Sequence, residues 1–188
     1  MGNANVNSTS LNYERRSPTV LRTFRLPREL NASLEVEAKN RGLSVNALVS
    51  SLITKFDSWD RFADRFHFVS LTDDVLQLIL AQSSDEQIAQ IADTVGTRIV
   101  GEGMMFWYKE ATVESLITYL NNRCRYAGYG NLEYEKKGNT HVIALQHRLG
   151  IKWSIYLHHI IDNVLRKRLG IVGRFETSES SVIVHFTD

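Results

Sequence analysis

Polar and apolar residues alternate over Thr23-Phe24-Arg25-Leu26, and the stretch Val20-Leu21-Arg22-Thr23-Phe24-Arg25-Leu26 predicts a short β-strand over residues 20–26. Phe24 and Leu26 share one face; Leu21, Thr23 and Arg25 take the other. Pro27 ends the strand and suits the first turn of a helix, where its missing N–H would have no partner in any case. Leu30, Leu34 and Ala38 then recur at helical spacing, and Gly42 closes the run as a C-cap. Ser44 is a natural N-cap for a second helix with the apolar stripe Val45, Leu48, Val49, Leu52, Ile53 and Phe56. Ahead of this unit, residues 1–18 are polar, lack periodicity and end in Pro18. They read as a flexible arm, an ordinary solvated tail in which Arg15 and Arg16 are within reach of a phosphate as the alternative.

The pattern changes beyond residue 57. Residues 58–65 are charged with Trp59 and Phe62 among them, and serve as a linker or a helix extension. A short strand is expected over 66–71, then helices near 73–82, 84–106 and 111–127. Gly128-Tyr129-Gly130 breaks the pattern, and strands near 131–136 and 140–148 flank the hairpin turn Lys137-Gly138-Asn139. A long amphipathic helix over about 151–169 is closed by Gly170, and strands follow near 173–177 and 181–186. The expected fold class is α+β. A β-α-α unit occupies residues 19–57, and a separate α+β domain with a small, mostly antiparallel sheet occupies residues 66–188.

A strand and two helices in under forty residues cannot bury a core of their own, and a lone strand leaves both edges unpaired. Two copies that pair their strands antiparallel and interlock their helices remove both difficulties. The dimer is therefore a physical requirement of this reading.

The spacing of Leu26-Pro27-Arg28-Glu29 and Gly42-Leu43-Ser44-Val45-Asn46 resembles the ribbon-helix-helix repressors, the family of the Arc and methionine repressors, over about residues 20–56. The resemblance implies an intertwined homodimer whose paired strands enter the major groove of double-stranded DNA. By position, Leu21, Thr23 and Arg25 would meet base edges, Arg25 with a bidentate fork for guanine. Leu21 departs from the polar residue usual at its place. Arg22 would send its long stem toward a phosphate, and Ser44, Val45 and Asn46 would hold another at the start of the second helix. The function implied is sequence-specific transcriptional regulation by a homodimer, with higher oligomers along the DNA as an extension. The domain at 66–188 would then serve oligomerisation or the sensing of an unidentified small-molecule effector. Alternatives within reach of the same module are an antitoxin-type interaction protein and a metal-sensing regulator.

Charge agrees with that division. Residues 1–56 hold eight Arg/Lys against four Asp/Glu, a balance of +4, whereas residues 57–188 hold fourteen against seventeen, a balance of −3. No run approaches the ~18 apolar residues of a membrane span, and a lone Cys124 builds no disulfide framework, so a cytoplasmic protein without membrane partners is expected.

Candidate chemistry is sparse. The six histidines lack metal-ligand spacing. His141 and His147 stand about 20 Å apart along one strand, and His158 and His159 are adjacent on a helix and point in different directions. His67 and His185 read as ordinary polar residues. Cys124 falls in line with Leu116, Ile117, Leu120 and Ala127, a packing position. Gly101-Glu102-Gly103 lies in or after a helix and follows no strand, and Glu133 and Glu135 face solvent. No catalytic residue, metal site or cofactor is expected, and the protein is read as a non-enzyme. The aromatics Phe106, Trp107, Tyr108, Tyr119, Tyr126, Tyr129, Tyr134, Trp153 and Tyr156 offer either core or a small-molecule pocket. The strand-end, glycine, helix-start run Leu149-Gly150-Ile151-Lys152-Trp153-Ser154 is a place where an anion could sit.

Overall fold

The structure is a computed structural model that describes residues 19–66 and 68–188. The arm at 1–18, with Arg15 and Arg16, lies outside it, as does His67. The chain divides into two compact units, Met1–Thr54 and Lys55–Asp188.

In the first unit, helix α1 (Arg28–Asn40) starts directly after Pro27. It closes in a left-handed C-terminal turn. Leu43 N–H donates to Ala38 O at 2.8 Å and Gly42 N–H to Lys39 O at 3.1 Å, with Gly42 at φ +65°, where a Cβ would be strained. Helix α2 (Val45–Lys55) follows at once. Residues 19–27 form neither helix nor strand within one chain, so the strand expected at 20–26 is not made there. A strand needs a partner to exchange backbone hydrogen bonds with, and among the described residues no other segment of this unit is a strand.

The second unit is mixed helix and sheet. Residues 56–66 are helical: a π-helical turn at Phe56–Asp60 leads into α3 (Arg61–Phe66). The strand expected at 66–71 is not found. Phe66 ends α3, and residues 68–72 have neither helix nor strand. The physical reason is that Phe68 stacks on Trp59 at 5.2 Å, so its apolar side goes to an aromatic cluster and not to a sheet.

Helix α4 (Asp73–Ala81) precedes α5 (Asp85–Val95), which a reciprocal capping box starts: Gln87 N–H donates to Ser84 Oγ and Ser84 N–H to the Gln87 side chain. A π-helical turn at Gly96–Val100 carries the chain into α6 (Gly101–Tyr108), so the single helix expected at 84–106 is continuous but locally widened. Helix α7 (Val113–Ala127) opens with a second capping box, Thr112 with Ser115.

Strands β1 (Asn131–Lys137) and β2 (Thr140–Gln146) form the hairpin, and α8 (Ile151–Val164) continues through a π-helical turn at Leu165–Leu169. Strands β3 (Arg174–Thr177) and β4 (Ser181–Thr187) complete an antiparallel sheet in the order β1-β2-β4-β3. Alternation sets its buried face: His141, Ile143 and Leu145 of β2 and Val182, Val184 and Phe186 of β4 point inward. Helices α7 and α8 pack on the sheet, and α5 packs on α8. Leu116, Leu120, Leu157, Ile160, Ile161 and Val164 fill the space between. Asn163 is buried in this layer and satisfied on both sides, accepting from Thr97 Oγ1 at 3.2 Å and donating to Asp93. Among the described residues no helix is long and apolar enough to cross a membrane.

Candidate functional site

In the first unit, the expected contact residues fall into two groups. Leu21, Arg22, Thr23 and Arg25 lie on the exposed, unpaired segment before α1, with Leu21 88% exposed. Ser44, Val45 and Asn46 lie at the start of α2. Ser44 caps that helix, since Ala47 N–H donates to its Oγ at 3.1 Å and Leu48 N–H to its carbonyl at 3.0 Å. The amides of Val45 and Asn46 have no earlier carbonyl of their own helix to reach, which is the ordinary condition of a helix start. Ser44 and Asn46 are exposed and Val45 is half-buried. Among the described residues no hydrogen bond or ion pair joins the two groups within one chain.

The same unit leaves its apolar residues uncovered. Only Ala38 and Leu48 are buried among its described residues, whereas Val20, Phe24, Leu26, Leu30, Leu52 and Ile53 are exposed. Phe24 keeps 66% of its surface open.

The second unit settles several chemical questions residue by residue. His147 Nε2 lies 2.8 Å from Ser154 Oγ, both groups buried, which at first sight is a nucleophile beside its base. The pattern of donors says otherwise. Leu149 N–H donates to Nδ1 at 3.3 Å, so the proton sits on Nε2 and the imidazole donates to the serine. Burial holds His147 below the usual imidazole range and so keeps it neutral. In this arrangement the imidazole is the donor of a buried hydrogen bond to the serine.

His141 makes a second such lock. Tyr134 Oη lies 2.7 Å from Nδ1, and Asp188 Oδ1 stands 3.1 Å from Nε2, off the ideal hydrogen-bond line. The interaction with His141 is the largest influence holding the Asp188 carboxyl below its ordinary value. The imidazole also stacks flat on Phe186 at 4.8 Å. Together these contacts tie the β1–β2 hairpin to the last residue of the chain. Cys124 is half-buried against the core, and burial pushes its thiol up to about 12, so it is a packing residue, not a thiolate. Among the described residues no three His, Cys, Asp or Glu side chains cluster closely enough to hold a metal ion. At Gly150, Lys152 is committed to an ion pair with Asp85, and the neighbouring cleft is lined by Asp73 as well as Arg148, a mixed charge that does not favour an anion.

The aromatic residues do gather, around an arginine that the sequence reading did not single out. Arg123 is 3% exposed. Its guanidinium carbon lies 4.4 Å from the ring centre of Phe68, 4.8 Å from Tyr119, 5.0 Å from Trp59, 5.6 Å from Trp107 and 5.7 Å from Tyr129. Among the described residues it has no carboxylate partner, and its Nε has no acceptor. Five rings therefore substitute for a counter-ion through cation–π attraction. The sequence held one usable signal: Arg123 falls on the stripe of Leu116, Tyr119 and Leu120, where a charge is out of place. Burial pushes the hydroxyl of Tyr119, one of these five rings, far above its ordinary value.

No protein-family model matches the chain, and no curated protein matches its sequence.

Proposed function

We propose that the protein is a sequence-specific DNA-binding regulator of the ribbon-helix-helix type that acts as a homodimer. The observation that carries the reading is the incompleteness of the first unit. It has an extended segment with two arginines and, among the described residues, no strand partner, two short helices with a tight cap between them, and exposed apolar residues that include Val20, Phe24, Leu26, Leu30, Leu52 and Ile53. A second copy supplies what is missing: a partner strand for residues 20–26 and a cover for Phe24, Leu26, Leu30, Leu52 and Ile53. In such a dimer Leu21, Thr23 and Arg25 face outward as two antiparallel rows, and the major groove admits a two-stranded ribbon of this kind. Arg22 and the α2 start at Ser44, Val45 and Asn46 bind phosphate and set the register without reading sequence.

The second unit is assigned to oligomerisation or effector sensing; His141, His147, Ser154 and Cys124 make packing or hydrogen-bond contacts within it. The test of the DNA reading is Arg25→Ala in a gel-shift assay on a selected site. Loss of a bidentate arginine contact costs about 1–3 kcal/mol at one base pair and relaxes preference there. Arg22→Ala instead weakens all sequences alike and lowers the salt slope by about one. Undiminished preference in the Arg25 variant counts against the assignment.

A further inference from the structure

We propose that the cleft between α3 and the end of α6 is a binding site for a small organic carboxylate with a flat, apolar body. The cleft encloses about 430 Å³ and is lined by Arg61, Phe62, Phe106, Trp107 and Lys109. That volume lies in the range of small-ligand sites. Among the described residues its lining is three aromatic rings and two cations, with no acidic side chain.

The rings are set to hold a flat body. Phe62 stands edge-on to both of its neighbours, at 6.0 Å and 89° to Phe106 and at 5.7 Å and 82° to Trp107, so faces and edges alternate around the cleft. The two cations are held at its mouth by the rings themselves. The Arg61 guanidinium lies 4.5 Å over Phe62, and Lys109 Nζ lies 5.2 Å over Phe106. Arg61 also pairs with Asp57 at 3.2 Å, an exposed contact of the kind that an incoming anion can replace. Lys109 is the one described residue other than glycine with a positive φ, +63°, at a helix end where glycine is the ordinary choice. That strained backbone presents a cation where an unstrained glycine would present none.

Trp107 is a shared wall. It lines the cleft and also lies 5.6 Å from the Arg123 guanidinium, a buried charge with no carboxylate partner among the described residues. A guanidinium held by rings, with no carboxylate to neutralise it among the described residues, raises the potential in the cleft on the other side of that wall. The same lining argues against a nucleotide or a sugar acid: among the described residues no amide or hydroxyl side chain lines the cleft to read a base edge or a ring hydroxyl. One negative charge and one flat apolar body match what is there.

The proposal is independent of whether the first unit holds DNA, and its test does not use DNA. The full chain is titrated with sodium benzoate, benzyl alcohol and adenosine monophosphate at fixed ionic strength, read by tryptophan fluorescence and by calorimetry so that a silent chromophore does not hide binding. Benzoate is expected to bind saturably and at least tenfold more tightly than benzyl alcohol. Lys109→Gln and Arg61→Gln, both at exposed positions, are expected to weaken benzoate about five- to tenfold each while leaving benzyl alcohol and the thermal midpoint unchanged. The proposal is overturned by the absence of saturable benzoate binding, by equal affinity for the alcohol, by tighter binding of adenosine monophosphate, or by benzoate affinity that neither variant alters.

Discussion

Phe24→Ala separates a ribbon that completes its core in a dimer from one that does not. Within one chain Phe24 is 66% exposed, so about a third of its surface is covered by its own unit. Truncating a fully buried Phe to Ala costs ~3–5 kcal/mol. The single chain accounts for about a third of that, on the order of 1–1.5 kcal/mol, and leaves ~2–3 kcal/mol per chain for a second copy to supply. Both copies carry the change, so the dimer loses ~4–6 kcal/mol, or about 10³- to 10⁴-fold in Kd. Sedimentation equilibrium across a wide concentration range measures that constant directly. Val36→Ala is the matched control: Val36 is 60% exposed but lies off the stripe of Leu30, Leu34 and Ala38, and its change should leave Kd within about threefold. Association unaffected by Phe24→Ala would refute the reasoning, including the case in which the second unit alone holds two chains together.

Further expectations follow from the second unit. Gly130 has φ +129°, and a Cβ there would meet the Gln146 carbonyl oxygen at 2.2 Å, so Gly130→Ala should destabilise by more than ~3 kcal/mol, read as a lower urea midpoint with an unchanged m-value. Burial holds His147 below its ordinary value, and burial and then the neighbouring His159 do the same for His158. Groups lowered on folding take up protons more readily in the unfolded chain. Stability should therefore be level above about pH 7 and fall as pH drops below the unfolded imidazole value of about 6.5. His147→Gln, which keeps a donor for Ser154, should make that fall shallower in a series of urea titrations at different pH. Cys124, with its thiol pushed up to about 12, should resist iodoacetamide at pH 7.5 until denaturant is added, and rapid labelling of the folded protein would contradict its packing role.

Much of the second unit was legible because local signals and tertiary packing agree there. The turn at Gly138 marks the hairpin, Gly170 ends the last long helical run, and the alternation of β2 and β4 matches their buried faces. The strand misplaced at 66–71 shows where such agreement fails. Alternation around Phe68 records a side chain entering an aromatic cluster, and a period of two over four residues cannot distinguish that from a pleat. Arg123 was hidden for a related reason: its five ring partners come from Trp59, Phe68, Trp107, Tyr119 and Tyr129, and most of these are distant in sequence. The three π-helical turns were not foreseen either, because a widened turn keeps almost the same apolar spacing as an α-turn over five residues. In the first unit the helix ends were legible from Pro27, Gly42 and Ser44, since capping is a local effect. Pairing of the preceding segment is not local, and among the described residues of its unit no other strand pairs with it.

The central claim is that two chains present Leu21, Thr23 and Arg25 to DNA as a paired ribbon. Selection of bound duplexes from a random pool, run with the full chain at two salt concentrations, tests it most directly. The account predicts enrichment of a short palindromic site whose affinity falls steeply with salt while its sequence preference persists, with the preference altered at a symmetric base pair by Arg25→Ala. A pool that stays random at both salt concentrations, or a site without two-fold symmetry, would contradict it.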